Sequence, residues 1–142
     1  WQTGKSFSEK ANELIATINT RGITTHTFIK KIEIAYGLAD IIVSRAGAIA
    51  ISELCVVGKP VILIPSPNVA ENHQYKNAQS LVNKNAAILV KDSQANNKLV
   101  DEIIKLKDNP ILMKELSENI KKMEYKNATN VISDYALNLI KK

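Results

Sequence analysis

The sequence has 142 residues, of which 45% are hydrophobic and 23% charged, and this balance is ordinary for one globular domain. Its apolar runs fall short of the roughly 20 residues needed to span a bilayer. The single cysteine, Cys55, excludes a disulfide within the chain and favours a reducing, cytoplasmic location. The net charge of +5 comes from lysines interleaved with acidic residues, and the scarcity of arginine and aromatic residues argues against a nucleic-acid partner.

The first part of the sequence alternates between extended and helical patterns. Residues 1–5 resemble the last residues of a strand and lack an initiator methionine. We therefore expect a chain truncated at its N-terminus. The pattern then predicts a helix from Ser6 or Ser8 to about Thr20, a strand over Ile23–Phe28 and a short amphipathic helix over Ile29–Ala39.

The rest of the sequence continues this alternation. Strands are predicted at 40–44, 61–64 and 86–90, and helices at 48–57, 71–83, 97–107, 110–123 and 127–140. Gly58 and Pro110 mark the end of one helix and the start of another. Because short strands alternate with helices, we predict an α/β fold with a Rossmann-like parallel sheet flanked by helices. We assign residues 1–142 to one domain, whose C-terminal helices, about 97–142, would cover one face of the sheet or reach back to a neighbouring domain.

The most informative segment is the connection between the strand at 40–44 and the helix at 48–57. It reads Ser44-Arg45-Ala46-Gly47-Ala48, and small residues there leave the unpaired N–H groups of the helix accessible. These donors and the helix dipole favour a bound anion, typically phosphate, and Arg45 adds a positive charge. Glu53, further along the same helix, could accept hydrogen bonds from sugar hydroxyls. The alternatives are a tight connection with a solvent-exposed arginine and a solvated glutamate.

Other polar and apolar residues are ambiguous from their pattern alone. Phe28 and Ile29 end a predicted strand, where packing in the core is the simpler explanation. Asn72, His73 and Gln74 open a predicted helix, where capping or surface positions are common. Two scattered histidines and one cysteine form no metal-ligand pattern, and the glycines form no GxGxxG or Walker loop. We therefore expect no metal and no cofactor.

The segment SRAGAIAISE, followed by GKPVILIPSPNVAENHQYKNA, resembles the donor-binding half of the MurG family of glycosyltransferases. The resemblance extends from residues 1–5 to about the last helix, and residues 40–78 carry its most specific part. It implies the C-terminal half of a GT-B enzyme, inverting and metal-independent, that transfers N-acetylglucosamine from UDP-N-acetylglucosamine to lipid I in peptidoglycan synthesis. Lipid I would bind a missing N-terminal domain, and the enzyme would lie on the cytoplasmic face of the bacterial inner membrane.

The resemblance also implies roles for individual residues. The backbone of Ile29 would pair with uracil, and Glu53 would bind the ribose hydroxyls. The diphosphate or the sugar would be faced by Arg45 and by the amides of Ala46, Gly47 and Ala48. The N-acetylglucosamine hydroxyls would be reached by His73 and Gln74. Further candidates are Phe28, Ser44, Ala50 and Asn72. Ala50 stands where many relatives have threonine, so we expect weaker diphosphate binding. The proposed general base lies in the other domain, so no catalytic residue is assigned here, and this chain alone is expected to bind donor without turnover.

Three alternatives remain open. The first is the donor-binding domain of another GT-B enzyme, such as a lipid glycosyltransferase; a UDP-sugar 2-epimerase is disfavoured because RAGA replaces the SGG-type turn. The second is a non-catalytic donor-binding subunit. The third is an α/β domain without a ligand.

Overall fold

The computed structural model describes residues 1–18 and 22–140. The chain divides into two compact units, residues 1–38 and 39–142, and each is described by itself. The expected helix end at Thr20 lies outside the described residues. Within them, no helix is long and apolar enough to cross a membrane.

The first unit contains two helices, α1 (Ser8–Thr17) and α2 (Ile32–Leu38). The strand predicted over Ile23–Phe28 is wrong, since a single parallel bridge between Gln2 and His26 takes its place. Around this bridge, the N–H of Thr3 donates to the carbonyl of His26 (2.9 Å) and the N–H of His26 to that of Trp1 (2.8 Å). The N-terminal residues therefore pair with the predicted strand for only a few positions.

The second unit is built on a parallel sheet of strands β1 (Ile42–Ser44), β2 (Val61–Leu63) and β3 (Ile88–Leu89), in the spatial order β1-β2-β3. In the register of the sheet, Ile42 pairs with Val61, and Ile62 pairs with Ile88. The central strand β2 is a continuous apolar run whose residues are all fully buried, which is the pattern of a parallel strand covered on both faces. The predicted α/β fold with a parallel sheet is confirmed.

Helices connect and cover these strands in the predicted order. They are α3 (Ala48–Val57), α4 (His73–Val82), α5 (Ala95–Lys107), α6 (Pro110–Lys121) and α7 (Ala128–Ile140). Short 3₁₀ turns precede α4 and α5, at Ala70–Asn72 and Asp92–Gln94. Helix α4 begins at His73, later than predicted, because Glu71 and Asn72 adopt left-handed backbone angles (φ 50° and 57°) that interrupt the helix.

The hydrophobic core lies between the sheet and helices α5 and α6. Its buried members are Ile62, Ile64, Val90, Leu106 and Leu116. Because side chains alternate along a strand, Val61 and Leu63 point to the opposite face of β2, where they are also fully buried. The expected cover of one sheet face by the C-terminal helices is thus provided by α5 and α6, whereas α7 has no buried residue.

Candidate functional site

The candidate site lies at the edge of the second unit where all the parallel strands end. Arg45 follows β1, Ser66 follows β2 after a short extension, and Asp92 follows β3. Since parallel strands have their carboxyl ends at one edge, these connections meet there, as they do in other α/β proteins that bind ligands. Hydrogen bonds join each of the connections to another.

The connection after β1 leads directly into helix α3. Gly47 is the N-cap, with an extended backbone (φ −67°, ψ 148°), and no side chain caps the helix. The first helical bond runs from the N–H of Ile51 to the carbonyl of Gly47 (2.9 Å). The N–H groups of Ala48, Ile49 and Ala50 precede this bond and have no helical acceptor. Free N–H groups at a helix N-terminus are suited to binding an anion.

The side chain of Gln74 connects this corner to the loop after β2. Its Oε1 accepts hydrogen bonds from the N–H of Ala46 (3.2 Å) and from the N–H of Ser66 (2.9 Å). Asn77, one turn further along α4, donates from Nδ2 to the carbonyl of Ala46 (3.2 Å). The peptide groups on both sides of the fully buried Ala46 are therefore fixed by α4. The N–H of Ala46 is engaged within the protein.

Arg45 is bound to the other two connections. Its Nη1 donates to Asp92 Oδ1 and to the carbonyl of Ile64 (3.2 Å). The pair is accessible to solvent, with 56% of the Arg45 side chain and 36% of the Asp92 side chain exposed. The guanidinium lies at the mouth of the corner, but its charge faces a carboxylate. Ser44, another candidate, donates from Oγ to the carbonyl of Arg45 (2.9 Å).

Glu53 and His73 are placed on exposed surfaces of α3 and α4. Glu53 is exposed in the second turn of α3, and Ala50 is half-buried in the first. His73 opens α4, and its Nε2 lies 3.4 Å from Glu71 Oε2. Asn72 is the left-handed residue directly before α4. Asparagine adopts this conformation more readily than most residues, which accounts for its tolerance at the turn.

Ile29 and Phe28 belong to the first unit. The N–H of Ile29 donates to Gln2 Oε1 (2.9 Å), so the backbone group expected to pair with a base is held by a side chain. Phe28 is 69% exposed and is not a core residue, contrary to the simpler explanation of its position. Ile29 itself is half-buried.

The structure brings together Arg45, Ala46, Gly47, Ala48 and Gln74, which the sequence had marked as candidates. It adds Asp92 and Asn77, which sequence reasoning missed. A usable signal existed for Asp92, because it follows the last predicted strand (86–90) after one residue, at the edge where the other connections meet. Asn77 lies one helical turn after Gln74, and nothing in the sequence distinguishes it from an ordinary surface asparagine.

An open groove of about 450 Å³ also lies along α4. It is lined by Tyr75, Lys76, Gln79, Ser80, Asn83 and Lys84, none of which is a candidate residue. Among the described residues, no group of three or more His, Cys, Asp or Glu side chains is arranged to hold a metal. Cys55 is buried on α3, and burial, with the charge of Glu124, raises the pKa of its thiol.

A parallel sheet with a helix N-terminus and an arginine at its carboxyl edge is the arrangement with which α/β proteins hold phosphate-bearing ligands. Residues 1–133 match the family described as the glycosyltransferase family 28 C-terminal domain, and the chain belongs to this family. The resemblance that the SRAGAIAISE segment suggested is therefore confirmed at the level of the family.

Curated relatives and a solved structure agree with this assignment. The chain is 47% identical over 134 residues to the UDP-N-acetylglucosamine–N-acetylmuramyl-(pentapeptide) pyrophosphoryl-undecaprenol N-acetylglucosamine transferase of Phocaeicola vulgatus, and 46% identical over 140 residues to that of Bacteroides fragilis. These matches cover 94% and 98% of the chain but 36% and 37% of the relatives. The crystal structure of Acinetobacter baumannii MurG superposes with a TM-score of 0.80 at 26% identity, over 93% of this chain and 38% of that chain. The chain spans little more than a third of the proteins it matches.

Proposed function

We propose that this chain is the donor-binding part of a glycosyltransferase that transfers N-acetylglucosamine from UDP-N-acetylglucosamine to lipid I. The observation that carries the proposal is the corner Arg45–Ala48, where an uncapped helix N-terminus and a guanidinium meet at the carboxyl edge of a parallel sheet. The printed names of the relatives describe an N-acetylglucosamine transferase acting on an undecaprenol-linked substrate. Residues 1–142 then serve as one donor-binding domain.

The diphosphate is assigned to the N-terminus of α3. Because Gln74 engages the N–H of Ala46, the available backbone donors are those of the first turn, Ala48 to Ala50. Arg45 supplies the side-chain charge, since a guanidinium has five N–H donors and Nη1 alone is engaged by Asp92 and Ile64. This refines the expected site: Ala46 supports the turn, and the residues after Gly47 contact the phosphates.

The remaining parts of the donor are assigned to the other candidate residues. Glu53 accepts hydrogen bonds from the two ribose hydroxyls, which suits a carboxylate with two acceptor oxygens. His73 and Gln74 contact the sugar; for Gln74 the contact is made by the amide nitrogen, because its oxygen binds the backbone. In the first unit, the backbone of Ile29 pairs with the uracil edge and its side chain packs on the ring. The N–H of Ile29 must then leave Gln2.

The chemistry requires little from this chain beyond binding and charge stabilisation. An acceptor hydroxyl attacks the anomeric carbon while UDP departs, and negative charge accumulates on the leaving diphosphate. The α3 terminus and Arg45 lie where that charge grows, so they lower the barrier. The general base and the lipid I site belong to the rest of the enzyme, which acts at the cytoplasmic face of the membrane. No metal or cofactor is needed.

Titration of the full chain with UDP and UDP-N-acetylglucosamine tests the proposal. We expect Glu53→Gln to lose roughly 1.5–3 kcal/mol of binding free energy, about 10- to 150-fold in affinity, because a charged acceptor is replaced. Glu115→Gln, an exposed glutamate on α6, is the matched control and should bind as the wild type does. Absence of UDP binding by the folded wild-type chain would refute the assignment. Competition by UDP-glucose at equal affinity would favour another GT-B glycosyltransferase.

A further inference from the structure

Asp92 places a carboxylate directly against the guanidinium of Arg45. It comes from the 3₁₀ turn after β3, at the same edge of the sheet as the other connections. Its side chain is 36% exposed, so its charge acts on whatever approaches Arg45 from solvent. A carboxylate here opposes the very anion that the corner is arranged to hold.

The ion pair contributes little to the position of Arg45. Exposed pairs of this kind contribute little to stability, because solvent screens them. The same Nη1 is also bound by the carbonyl of Ile64, a backbone group that no side-chain substitution at position 92 removes. The hydrogen bond that Asp92 accepts from Arg45 is therefore replaceable, whereas the negative charge of Asp92 is not. The role of Asp92 therefore depends on how its negative charge changes the binding of ligands.

We propose that Asp92 is a specificity-determining residue that selects the sugar-capped diphosphate over the free nucleoside diphosphate. This inference rests on the proposed function. A free terminal phosphate has a second pKa near 6 and carries about one more negative charge at neutral pH than the same phosphate esterified to a sugar. Asp92 repels the additional charge, so it weakens the binding of the leaving UDP more than the binding of the incoming UDP-N-acetylglucosamine. Release of the free diphosphate after transfer is favoured.

The test is calorimetric titration of the full chain at low salt with UDP, UDP-N-acetylglucosamine and uridine. Asp92→Asn retains an oxygen for Arg45 and removes only the charge. For a phosphate about 7 Å from the carboxylate in water, removing the carboxylate charge strengthens binding roughly threefold for each charge on that phosphate. We expect UDP to bind roughly 5- to 10-fold tighter, UDP-N-acetylglucosamine roughly 2- to 3-fold tighter and uridine unchanged. The difference should shrink as salt is added.

Asp101→Asn is the matched control, since it removes an equal charge from an exposed position of α5 and should leave the ratio of the two dissociation constants unchanged. Asp92→Ser, which removes the charge and the acceptor geometry together, should shift the ratio in the same direction. A ratio unchanged by both Asp92 variants, or an equal loss for all ligands including uridine, would overturn the inference while leaving the site intact. Failure of the wild-type chain to bind UDP would instead refute the proposed function, and the inference with it.

Discussion

The amide oxygen of Gln74 is the smallest feature on which the candidate site depends. One atom accepts from the N–H groups of Ala46 and Ser66, which belong to different strand connections. Both contacts are partly buried, so neither N–H can readily exchange its partner for water. The position of the turn before α3 is therefore set from α4.

Replacing this oxygen should destabilise the chain even without ligand. Gln74→Met keeps the length of the side chain but leaves two N–H groups without an acceptor, so we expect a loss of roughly 1–3 kcal/mol in the free energy of unfolding. Gln74→Glu keeps an acceptor oxygen and should remain closer to the wild type. Urea denaturation of both variants measures the difference. A Gln74→Met chain as stable as the wild type would show that the bonds contribute nothing.

Individual residues were predictable where the pattern is local. Small residues between a β-branched run and a helical segment were sufficient to predict the corner Arg45–Ala48. The contacts of that corner were not, because Asp92 and Asn77 come from later connections and meet it only after the sheet forms. The position of Asp92 after the last predicted strand indicates its edge of the sheet but not its partner. The engaged oxygen of Gln74 was missed for the same reason.

At the end of helix α3, the side chain of a lysine from another helix packs closely against a glycine. Gly58 ends the helix in a left-handed conformation (φ 67°), and its N–H donates to the carbonyl of Leu54 (2.9 Å). A Cβ at this position would lie 2.9 Å from Cδ of Lys121 on α6. Lys121 in turn donates from Nζ to the carbonyl of Val56. Glycine is required both for the backbone angle and for the close approach.

Gly58→Ala should therefore destabilise the chain by roughly 1–3 kcal/mol, part from the left-handed backbone and part from displacing Lys121. Thermal or urea unfolding measures the total. In a Lys121→Ala background there is no long side chain to displace. Gly58→Ala should then lower the free energy of unfolding only by the cost of the left-handed backbone, about 1–2 kcal/mol. An equal cost in both backgrounds would contradict the packing argument, although it would leave the backbone argument in place.

Among the secondary-structure elements, helices were predicted better than strands. Gly58 and Pro110 mark helix boundaries through their own backbone chemistry, and the structure places boundaries beside them. The segment Ile23–Phe28 has the β-branched composition of a strand, but only His26 forms a bridge. A strand requires a continuous partner, which local sequence does not provide.

The two compact units differ sharply in how much they bury. In the described residues of unit 1–38, Ala11 is the one hydrophobic residue that is fully buried. Unit 39–142 contains the sheet, with Val61, Ile62 and Leu63 fully buried. The continuous apolar run of β2 made this core predictable, whereas Leu14 (45%) and Ile18 (59%) in the first unit remain exposed.

Amide hydrogen exchange should reflect this difference in burial. The N–H groups of Thr3 and His26 are hydrogen-bonded, but few buried contacts support them, so we expect exchange through local opening at low free energy. The amides of β2 should exchange only with global unfolding of their unit. Exchange measured in increasing urea below the transition should show a flat response for Thr3 and His26 and a steep one for β2.

A substitution in the core separates local from global opening. Leu106→Ala removes a side chain that is 1% exposed and should lower the protection of β2 by roughly 2–5 kcal/mol, since a cavity remains. Val100→Ala, at a position on the same helix that is 65% exposed, is the matched control and should change protection by less than about 0.5 kcal/mol. Thr3 and His26 should keep their exchange rates in both variants if their opening is local. Equal losses at Thr3, His26 and β2 in Leu106→Ala would instead show that both units open in one cooperative step.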